Sequence, residues 1–316
     1  MSEIVISVKN LTKKYANNKG VFGVNLSVHK GEIHGFLGPN GAGKTTTIRH
    51  LLGMQKSINK GNCFIDGVNC WNDSKIVNTF TGYVPGEIVF PNGGNGWTFI
   101  KQMAKFKSLR KLDYARDLVK RFKLDAKVKI KAMSKGMKQK LAIIIAFMNK
   151  PKVLILDEPT SGLDPLMQIE FDKLLLEARD GGATILISSH IFSEVEKVCD
   201  RATIIKDGKI IETLNISEIL HSENKTYKFE FFDNETMNEA YKYLTLNKLN
   251  VNTSKASEKQ LSVSFNDSKT NNFLKIIQYF KILYLKEIKN TLEKQFAKYY
   301  DDTDFNEQST NENEQA

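Results

Sequence analysis

The sequence predicts an α/β fold, and three observations support this fold class. Over residues 1–220, short apolar runs alternate with amphipathic segments and turn signals, which is the pattern of strands and helices packed in layers. The apolar run Glu32 to Leu37 leads into a glycine-rich turn, and a predicted helix follows at Thr45 to Leu52. After residue 220 the pattern changes, which indicates a second, smaller α+β unit.

Composition is that of an ordinary globular protein. The chain has 316 residues, of which 41% are hydrophobic and 26% charged. The longest apolar run, Leu141 to Met148, is far shorter than the roughly 20 residues that cross a bilayer. The N-terminal residues lack the apolar stretch of a secretory signal. We therefore expect a chain that does not cross a membrane unaided and that stays inside the cell.

Charge and cysteine content limit the possible partners. The net charge is +10, with lysines distributed along the chain, so we expect a solvated basic surface, with nucleic acid or an anionic membrane as the alternatives. Cys63, Cys70 and Cys199 have neither Cys-x-x-Cys spacing nor neighbouring histidines. Neither a zinc site nor a disulfide framework is indicated, and three reduced thiols are expected.

The first 220 residues predict one core domain with a helical insertion. Strands are predicted at Ile4 to Val8, Gly23 to Val28, Glu32 to Leu37, Val153 to Leu156 and Thr184 to Ile187, with a hairpin at Thr203 to Ile211 that turns at Asp207-Gly208. Helices are predicted at Thr45 to Leu52, Trp97 to Leu109, Asp113 to Phe122 and Lys138 to Phe147. Residues 86–137 thus form a mostly helical subdomain.

The remainder of the chain predicts an appendage and a tail. Residues 221–300 alternate strand and helix patterns and fit a small α+β extension. Residues 301–316 are acidic, rich in amides and almost free of apolar side chains, so we expect them to be disordered.

A phosphate-binding loop is the most specific motif. The sequence Gly-Pro-Asn-Gly-Ala-Gly-Lys-Thr at residues 38–45 has the Walker A pattern, preceded by a strand and followed by a helix. Its glycines allow consecutive backbone N–H groups to surround phosphates. Lys44 is expected to neutralise the β and γ phosphates, and Thr45 to offer its hydroxyl to Mg²⁺. The predicted nucleotide contacts are Gly38, Pro39, Asn40, Gly41, Ala42, Gly43, Lys44, Thr45 and Thr46.

Two adjacent carboxylates follow the apolar strand Val153 to Leu156. In a protein with a phosphate-binding loop, Asp157 at the strand end lies beside the magnesium ion. Glu158 is one residue further on and points to the other side of the strand end. It is expected to accept a proton from the attacking water or to orient that water. Alone, such a pair would more commonly be a helix cap.

The order of these motifs resembles the nucleotide-binding subunit of ATP-binding cassette transporters over residues 1–220. Ser134 and Gly136, just before a helix and about twenty residues before Asp157, lie where that family carries its signature sequence. From the residues alone they supply a hydroxyl and free N–H groups for a phosphate, or a plain helix cap. In the family this segment contacts ATP held by a second cassette. The resemblance therefore implies a dimer.

The same resemblance implies further roles. It implies a RecA-like core with an antiparallel β-subdomain and a helical subdomain, with ATP and Mg²⁺ as cofactors. His190 resembles the family's γ-phosphate histidine, and residues 161–164 resemble the segment across which two cassettes communicate. Tyr15 matches the aromatic residue that stacks on adenine, although an aromatic residue after two lysines is equally typical of surface packing.

Two departures from the family pattern point to a subgroup. Gly86 occupies the place of a glutamine that contacts both magnesium and the permease, so either Glu87 substitutes or the contact is absent. The signature carries Met133, Lys135 and Met137 in place of the common residues. Both departures resemble bacterial cassettes that serve separate six-helix permeases in the efflux of drugs, peptides or lipids. Glu293 and Phe296, within residues 290–300, resemble the closing helix of their C-terminal extensions.

The predicted function is ATP hydrolysis that drives such an exporter. The catalytic residues are predicted to be Glu158, His190 and Lys44, with Thr45 and Asp157 as magnesium ligands. The expected partners are a separate transmembrane permease and a second cassette, with no nucleic acid, at the cytoplasmic face of the cell membrane. The alternatives are a cassette acting on ribosomes or nucleic acid, and a regulatory module that holds ATP with little turnover.

Overall fold

The computed structural model divides into two compact units, residues Met1–Ile216 and Ser217–Ala316. The structure describes residues 3–16, 19–56, 62–91, 93–220, 224–247, 249–254, 259–288 and 291–297. The predicted disordered tail at residues 301–316 lies outside the described residues.

The first unit contains ten strands and seven α-helices within the described residues. The strands are β1 Ile4–Lys14, β2 Gly20–His29, β3 Ile33–Leu37, β4 Cys63–Ile65, β5 Val68–Asn69, β6 Thr81–Val84, β7 Val153–Asp157, β8 Thr184–Ser189, β9 Arg201–Lys206 and β10 Lys209–Asn215. The helices are α1 Lys44–Leu51, α2 Ser74–Phe80, α3 Gly96–Phe106, α4 Asp113–Arg121, α5 Lys135–Phe147, α6 Pro165–Asp180 and α7 Phe192–Val198. A short helix α8, Ile216–Leu220, lies at the boundary between the units.

A six-stranded sheet forms the centre of this unit, in the order β10-β9-β3-β8-β7-β6. All neighbours are parallel except β9 and β10, which form the hairpin. Every residue of β3, β7 and β8 is buried, as expected for strands covered on both faces. Because β3, β8 and β7 are adjacent and parallel, their carboxyl ends meet at one edge, where open α/β sheets bind ligands.

A second sheet is antiparallel, in the order β2-β1-β4-β5. It shares one hydrophobic core with α1 and the central sheet, through buried residues such as Val24, Ile48 and Phe36. The α/β class predicted for this region is confirmed. Several boundaries differ, however: β1 continues from Val8 to Lys14 through register shifts. The elements β4, β5, α2, β6, α6 and α7 were not predicted.

Helices α3 and α4 pack against α5 around buried side chains that include Ile100 and Leu118. The loop after α4 returns to the start of α3, where the Trp97 N–H donates to the Ala126 carbonyl at 2.8 Å. Arg121, at the end of α4, binds Glu170 and Glu177 of α6. The helical segment is therefore attached to the core at both α5 and α6.

The second unit is a four-stranded antiparallel sheet with helices. Its elements are β11 Asn224–Phe231, α9 Asn234–Leu246, β12 Asn250–Ser254, β13 Gln260–Asn266, α10 Thr270–Ile277, β14 Ile282–Glu287 and α11 Leu292–Ala297. The strand order is β12-β13-β11-β14. Phe229, Leu261 and Phe273 are central in its hydrophobic core. The helix predicted over residues 290–300 is described from Leu292 to Ala297, and Asn290 and residues 298–300 lie outside the described residues.

Two further observations concern the membrane and the thiols. Among the described residues, no helix combines the length and the apolar character needed to cross a bilayer. Cys63, Cys70 and Cys199 are buried free thiols, and burial raises the pKa of Cys63 to about 12.

Candidate functional site

The loop at residues 38–43 follows β3 and leads directly into α1. Gly41 and Gly43 have φ values of 82° and 109°, which glycine adopts without strain. A Cβ atom on Gly43 would lie 2.6 Å from the Val21 side chain, so space as well as conformation requires glycine there. No side chain caps the start of α1, and its first turn has no acidic residue. The uncapped N–H groups and the helix dipole favour an anion at this position.

Neighbouring elements hold the loop in place. The Gly38 N–H donates to the Ser189 carbonyl at the end of β8, at 3.4 Å. The Ala42 carbonyl accepts from the Gly208 N–H in the β9–β10 turn, at 3.0 Å. The loop is thus fixed by the sheet rather than by its own side chains.

Lys44 lies inside this loop with 6% of its surface exposed. Its Nζ donates to the carbonyls of Gly38 and Pro39, at 2.5 and 3.3 Å. The same atom forms an ion pair with Glu158 Oε1 at 3.2 Å. The ammonium group is therefore centred in the loop and balanced by one carboxylate.

Asp157 is the last residue of β7 and is completely buried. Its Oδ2 accepts from the Thr45 hydroxyl at 2.8 Å, and its Oδ1 accepts from the Ser188 hydroxyl at 2.5 Å. The hydroxyl of Thr45 and the carboxylate of Asp157 thus lie together at the start of α1. Hydroxyl and carboxylate oxygens are ligands that Mg²⁺ prefers.

Glu158 turns away from the strand direction because its backbone is left-handed, with φ at 47°. Such a conformation is costly for a residue other than glycine and clusters at functional sites. The turn brings its Oε2 to 2.8 Å from His190 Nδ1, in the segment that follows β8. Glu158 therefore connects Lys44 and His190.

The ionisation of this group follows from its surroundings. Burial acts to raise the pKa of Glu158, but the hydrogen bond from His190 and the charge of Lys44 outweigh it and lower the pKa below the ordinary value. The hydrogen bond to Glu158 raises the pKa of His190 above its ordinary value. At neutral pH the carboxylate is thus ionised and able to accept a proton.

A cleft opens beside the loop and Glu158. Among the predicted residues, it is lined by Tyr15, Pro39, Asn40, Gly41, Gly43, Lys44, Thr45, Thr46 and Glu158. Tyr15 follows β1, is 37% exposed, and shares hydrogen bonds with Gln55 through its hydroxyl. Its ring therefore stands at the cleft wall with the hydroxyl already engaged.

Ser134 and Gly136 do not line this cleft. Ser134 caps α5, its hydroxyl accepting from the Met137 N–H at 3.2 Å. A Cβ atom on Gly136 would lie 2.6 Å from the Gly162 carbonyl oxygen, so the start of α5 packs directly on residues 161–164. Gln139, also on α5, donates to the Pro159 carbonyl at 2.6 Å. The signature segment is thus joined to the loop that follows Glu158.

Gly86 lies next to the aspartate at the predicted magnesium site. A Cβ atom on Gly86 would lie 3.2 Å from Asp157 Oδ2, so a side chain at this position would be directed at that carboxylate. Glu87, the alternative ligand suggested by the sequence, is exposed.

Four residues that contribute to this site were not predicted. Lys19 and Gly20 line the cleft, Ser188 binds Asp157, and Gln139 fixes the loop after β7. Ser188 and Gln139 had a signal in the sequence, because Ser188 lies two residues before the predicted His190 and Gln139 lies in α5, just after Ser134 and Gly136. Lys19 and Gly20 had none, because β1 was predicted to end too early and β2 to begin too late.

Comparisons with known proteins agree with this geometry. The family model described as ABC transporter matches residues 21–161. An uncharacterized ABC transporter ATP-binding protein of Bacillus subtilis, YhcH, is 33% identical over 95% of this chain and 97% of its own length. The bacitracin transport ATP-binding protein BcrA of Bacillus licheniformis is 36% identical over 72% of this chain and 76% of its own length.

Solved structures give the same result for the fold. An ATP-binding subunit of an ABC transporter superposes with a TM-score of 0.63 and 30% identity, over 68% of this chain and 91% of that one. The dimeric cassette MJ0796, bound to ADP and phosphate after hydrolysis, gives a TM-score of 0.61 at 22% identity, over 67% and 98%. The predicted cassette fold is confirmed. The chain belongs to the ATP-binding proteins of ABC transporters, a family of ATPases.

Proposed function

We propose that this chain binds Mg²⁺-ATP at the carboxyl ends of β3, β7 and β8, hydrolyses it, and thereby drives an exporter whose membrane-spanning part is a separate protein. The contact of Lys44, Glu158 and His190, at 3.2 and 2.8 Å, carries this proposal. A buried cation beside an ionised carboxylate is an arrangement that serves both phosphate binding and proton acceptance.

Each of the three residues has a distinct role in this proposal. Lys44 neutralises the β and γ phosphates from inside the loop. Glu158 accepts a proton from the attacking water or orients it, and its lowered pKa keeps the carboxylate ionised for either role. His190 holds the carboxylate through Nδ1 and contacts the γ phosphate.

Thr45 and Asp157 are the proposed magnesium ligands. Their oxygen atoms are 2.8 Å apart, and Mg²⁺ commonly binds to one or two protein oxygens together with substrate phosphates and water. When bound, the ion neutralises charge on the phosphate oxygens. Gly86 contributes no side chain next to Asp157, so in this chain the corresponding space is left to water or to Glu87.

Tyr15 is proposed to stack on adenine. Its ring is at the wall of the cleft and its hydroxyl is bonded to Gln55, so the ring face is held in one orientation. Lys13 Nζ lies 5.9 Å from the ring centroid. Lys19 lines the same cleft and adds positive charge to it.

The site is proposed to be completed by a second copy of this chain. Ser134 and Gly136 offer a hydroxyl and helix N-terminal amides, yet they do not line the cleft of their own chain. A head-to-tail dimer would place them on the ATP of the partner and would bury two nucleotides between two copies. Their packing on residues 161–164 would couple each site to the other.

Export and membrane location follow from the relatives by analogy. BcrA is named for bacitracin transport, and the present chain shares its cassette. We therefore propose drug, peptide or lipid export through a separate permease, with this chain at the cytoplasmic face of the membrane. Closure of the dimer would move the helical subdomains and, through them, the permease.

Two measurements test this proposal. Phosphate release by the purified chain should require Mg²⁺ and fall at least a hundredfold in Lys44→Ala, while Lys9→Ala, an exposed lysine in β1, stays within twofold of the wild type. Co-expression with an affinity-tagged six-span membrane protein encoded beside it should allow the chain to be recovered with that protein after detergent extraction. Absence of phosphate release would contradict the ATPase. Phosphate release without such co-purification would contradict the transporter alone.

A further inference from the structure

The net charge of the chain is concentrated in residues 96–140, which include most of the helical subdomain. Residues 96–140 contain 15 Lys and Arg and three Asp, a net charge of +12, whereas the whole chain carries +10. The rest of the chain is therefore slightly acidic. Lysines occur throughout the sequence, but outside this segment acidic residues offset them. The net positive charge therefore belongs to residues 96–140.

Most of this charge is exposed and not neutralised within the protein. Eleven of the 15 cationic side chains are exposed. Among the described residues, Arg116, Arg121 and Lys140 are the ones with an acidic partner within ion-pair distance. Such a surface attracts anions over about one Debye length, roughly 8 Å at physiological salt.

The positions of these residues make the surface continuous. Trp97, Lys101 and Lys105 are four residues apart on α3 and share one side of that helix. Arg116 of α4 lies over the Trp97 ring, 5.9 Å from its centroid, and Lys120 is one turn further along α4. The Trp97 N–H is bonded to Ala126, which puts the lysine-containing loop after α4 at the start of α3.

One large apolar side chain of α3 is exposed. Phe106, the last residue of this helix, is 84% exposed and follows Lys105, about 100° further round the helix. Lys107 is turned inward and donates to the Thr81 carbonyl at 3.1 Å, so it fixes the end of the helix. Exposed aromatic residues beside lysines are typical of surfaces that lie on a bilayer.

We propose that the exposed face of α3, α4 and residues 123–131 binds the surface of a membrane that contains anionic phospholipids, with Phe106 entering the headgroup region. Twelve of the 15 cations are lysines, which act as point charges toward phosphate, and two of the three arginines are engaged by carboxylates. Few groups remain for the bidentate contacts that read nucleic acid bases. The bilayer contact does not depend on ATP hydrolysis.

Vesicle co-sedimentation of the purified full-length chain tests this proposal. The vesicles are phosphatidylcholine alone and phosphatidylcholine with 30% phosphatidylglycerol, at 50, 150 and 500 mM salt. The wild type should bind the anionic vesicles, bind neutral vesicles weakly, and lose affinity as salt rises. The variant Lys101→Glu/Lys105→Glu/Lys120→Glu should bind anionic vesicles roughly 100-fold more weakly, since each lysine near such a surface contributes about a fivefold change in affinity.

The matched control is Lys9→Glu/Lys75→Glu/Lys152→Glu, which makes the same change in net charge at exposed positions outside the segment. It should stay within threefold of the wild type, and thermal unfolding checks that both variants are folded. Phe106→Ser should reduce the binding that persists at 500 mM salt. Equal weakening in both triple variants, or absence of binding to anionic vesicles, overturns the proposal. Displacement of the chain from vesicles by a short DNA duplex at equal phosphate concentration would assign the surface to nucleic acid instead.

Discussion

The substitution Glu158→Gln changes one charge at the centre of the site and has two separable consequences. The Coulomb attraction between Lys44 and Glu158 at 3.2 Å is about 5 kcal/mol at an effective dielectric constant of about 20, before desolvation is subtracted. Removing the carboxylate charge releases Lys44 to act fully on phosphate. ATP affinity should therefore be unchanged or increase up to tenfold.

Turnover should decrease because glutamine does not accept a proton from water. Loss of a general base typically costs a factor of 10² to 10⁴, which corresponds to about 3–5 kcal/mol in the activation barrier. The assay is phosphate release at saturating Mg²⁺-ATP, with affinity measured by equilibrium binding of a fluorescent ATP analogue. A turnover number within threefold of the wild type, with binding intact, would refute the role of Glu158.

The same variant has a readout that does not depend on turnover. The hydrogen bond to Glu158 is the largest reason that the pKa of His190 is raised. In Glu158→Gln, an NMR titration should show this pKa falling toward 6.5, the ordinary value for histidine. Glu194→Gln is the matched control, because the charge of Glu194 raises the pKa of His190 less than Glu158 does, so the fall in this pKa should be clearly smaller. An unchanged His190 pKa in Glu158→Gln would refute the contact itself.

Three further predictions concern binding and stability. Tyr15→Ala should weaken ATP binding by about 1–3 kcal/mol, the contribution of a base stacked on an aromatic ring. Tyr15→Phe should bind ATP about as well as the wild type in equilibrium binding, and an equal loss in both variants would contradict stacking. Gly136→Ala should lower the unfolding free energy by about 1–3 kcal/mol, because its Cβ would overlap the Gly162 carbonyl. In the same thermal denaturation experiment, Gly93→Ala should have no effect, because the space around Gly93 is open. Burial lowers the pKa of His34 below its ordinary value of 6.5, so the folded protein keeps this side chain neutral at a pH where the unfolded chain binds a proton. The free energy of unfolding should therefore fall as pH decreases from 7 to 5.5, and it should fall less steeply in His34→Gln.

The loop between β3 and α1 was predictable from the sequence to within one residue. It has a sequence pattern because consecutive backbone amides that surround a phosphate need glycines, and the strand before it is recognisable because a fully buried strand is apolar throughout. Helix α1 begins at Lys44 rather than Thr45. The pairing of Asp157 with Thr45 depends only on strand order and loop position, and both follow from the α/β pattern.

Other features of the site and the fold depend on tertiary contacts that local sequence patterns do not reveal. The left-handed backbone of Glu158 and the bond from Ser188 to Asp157 arise where β7 and β8 end side by side. Strand β1 was predicted to end at Val8 because alternation breaks there, yet pairing with β2 continues through register shifts to Lys14. That extension sets the position of Tyr15. Strand β14 was missed because most of its residues are exposed.

In the proposed dimer, ATP joins two copies of this chain through Ser134 and Gly136. Size-exclusion chromatography with light scattering on Glu158→Gln, with and without Mg²⁺-ATP, measures this association. The chain should elute at its monomer mass of 35.9 kDa without ATP and at twice that mass with ATP, and Ser134→Arg in the same background should remain monomeric. A Glu158→Gln protein that binds ATP at saturation yet keeps the monomer mass would contradict the proposed dimer.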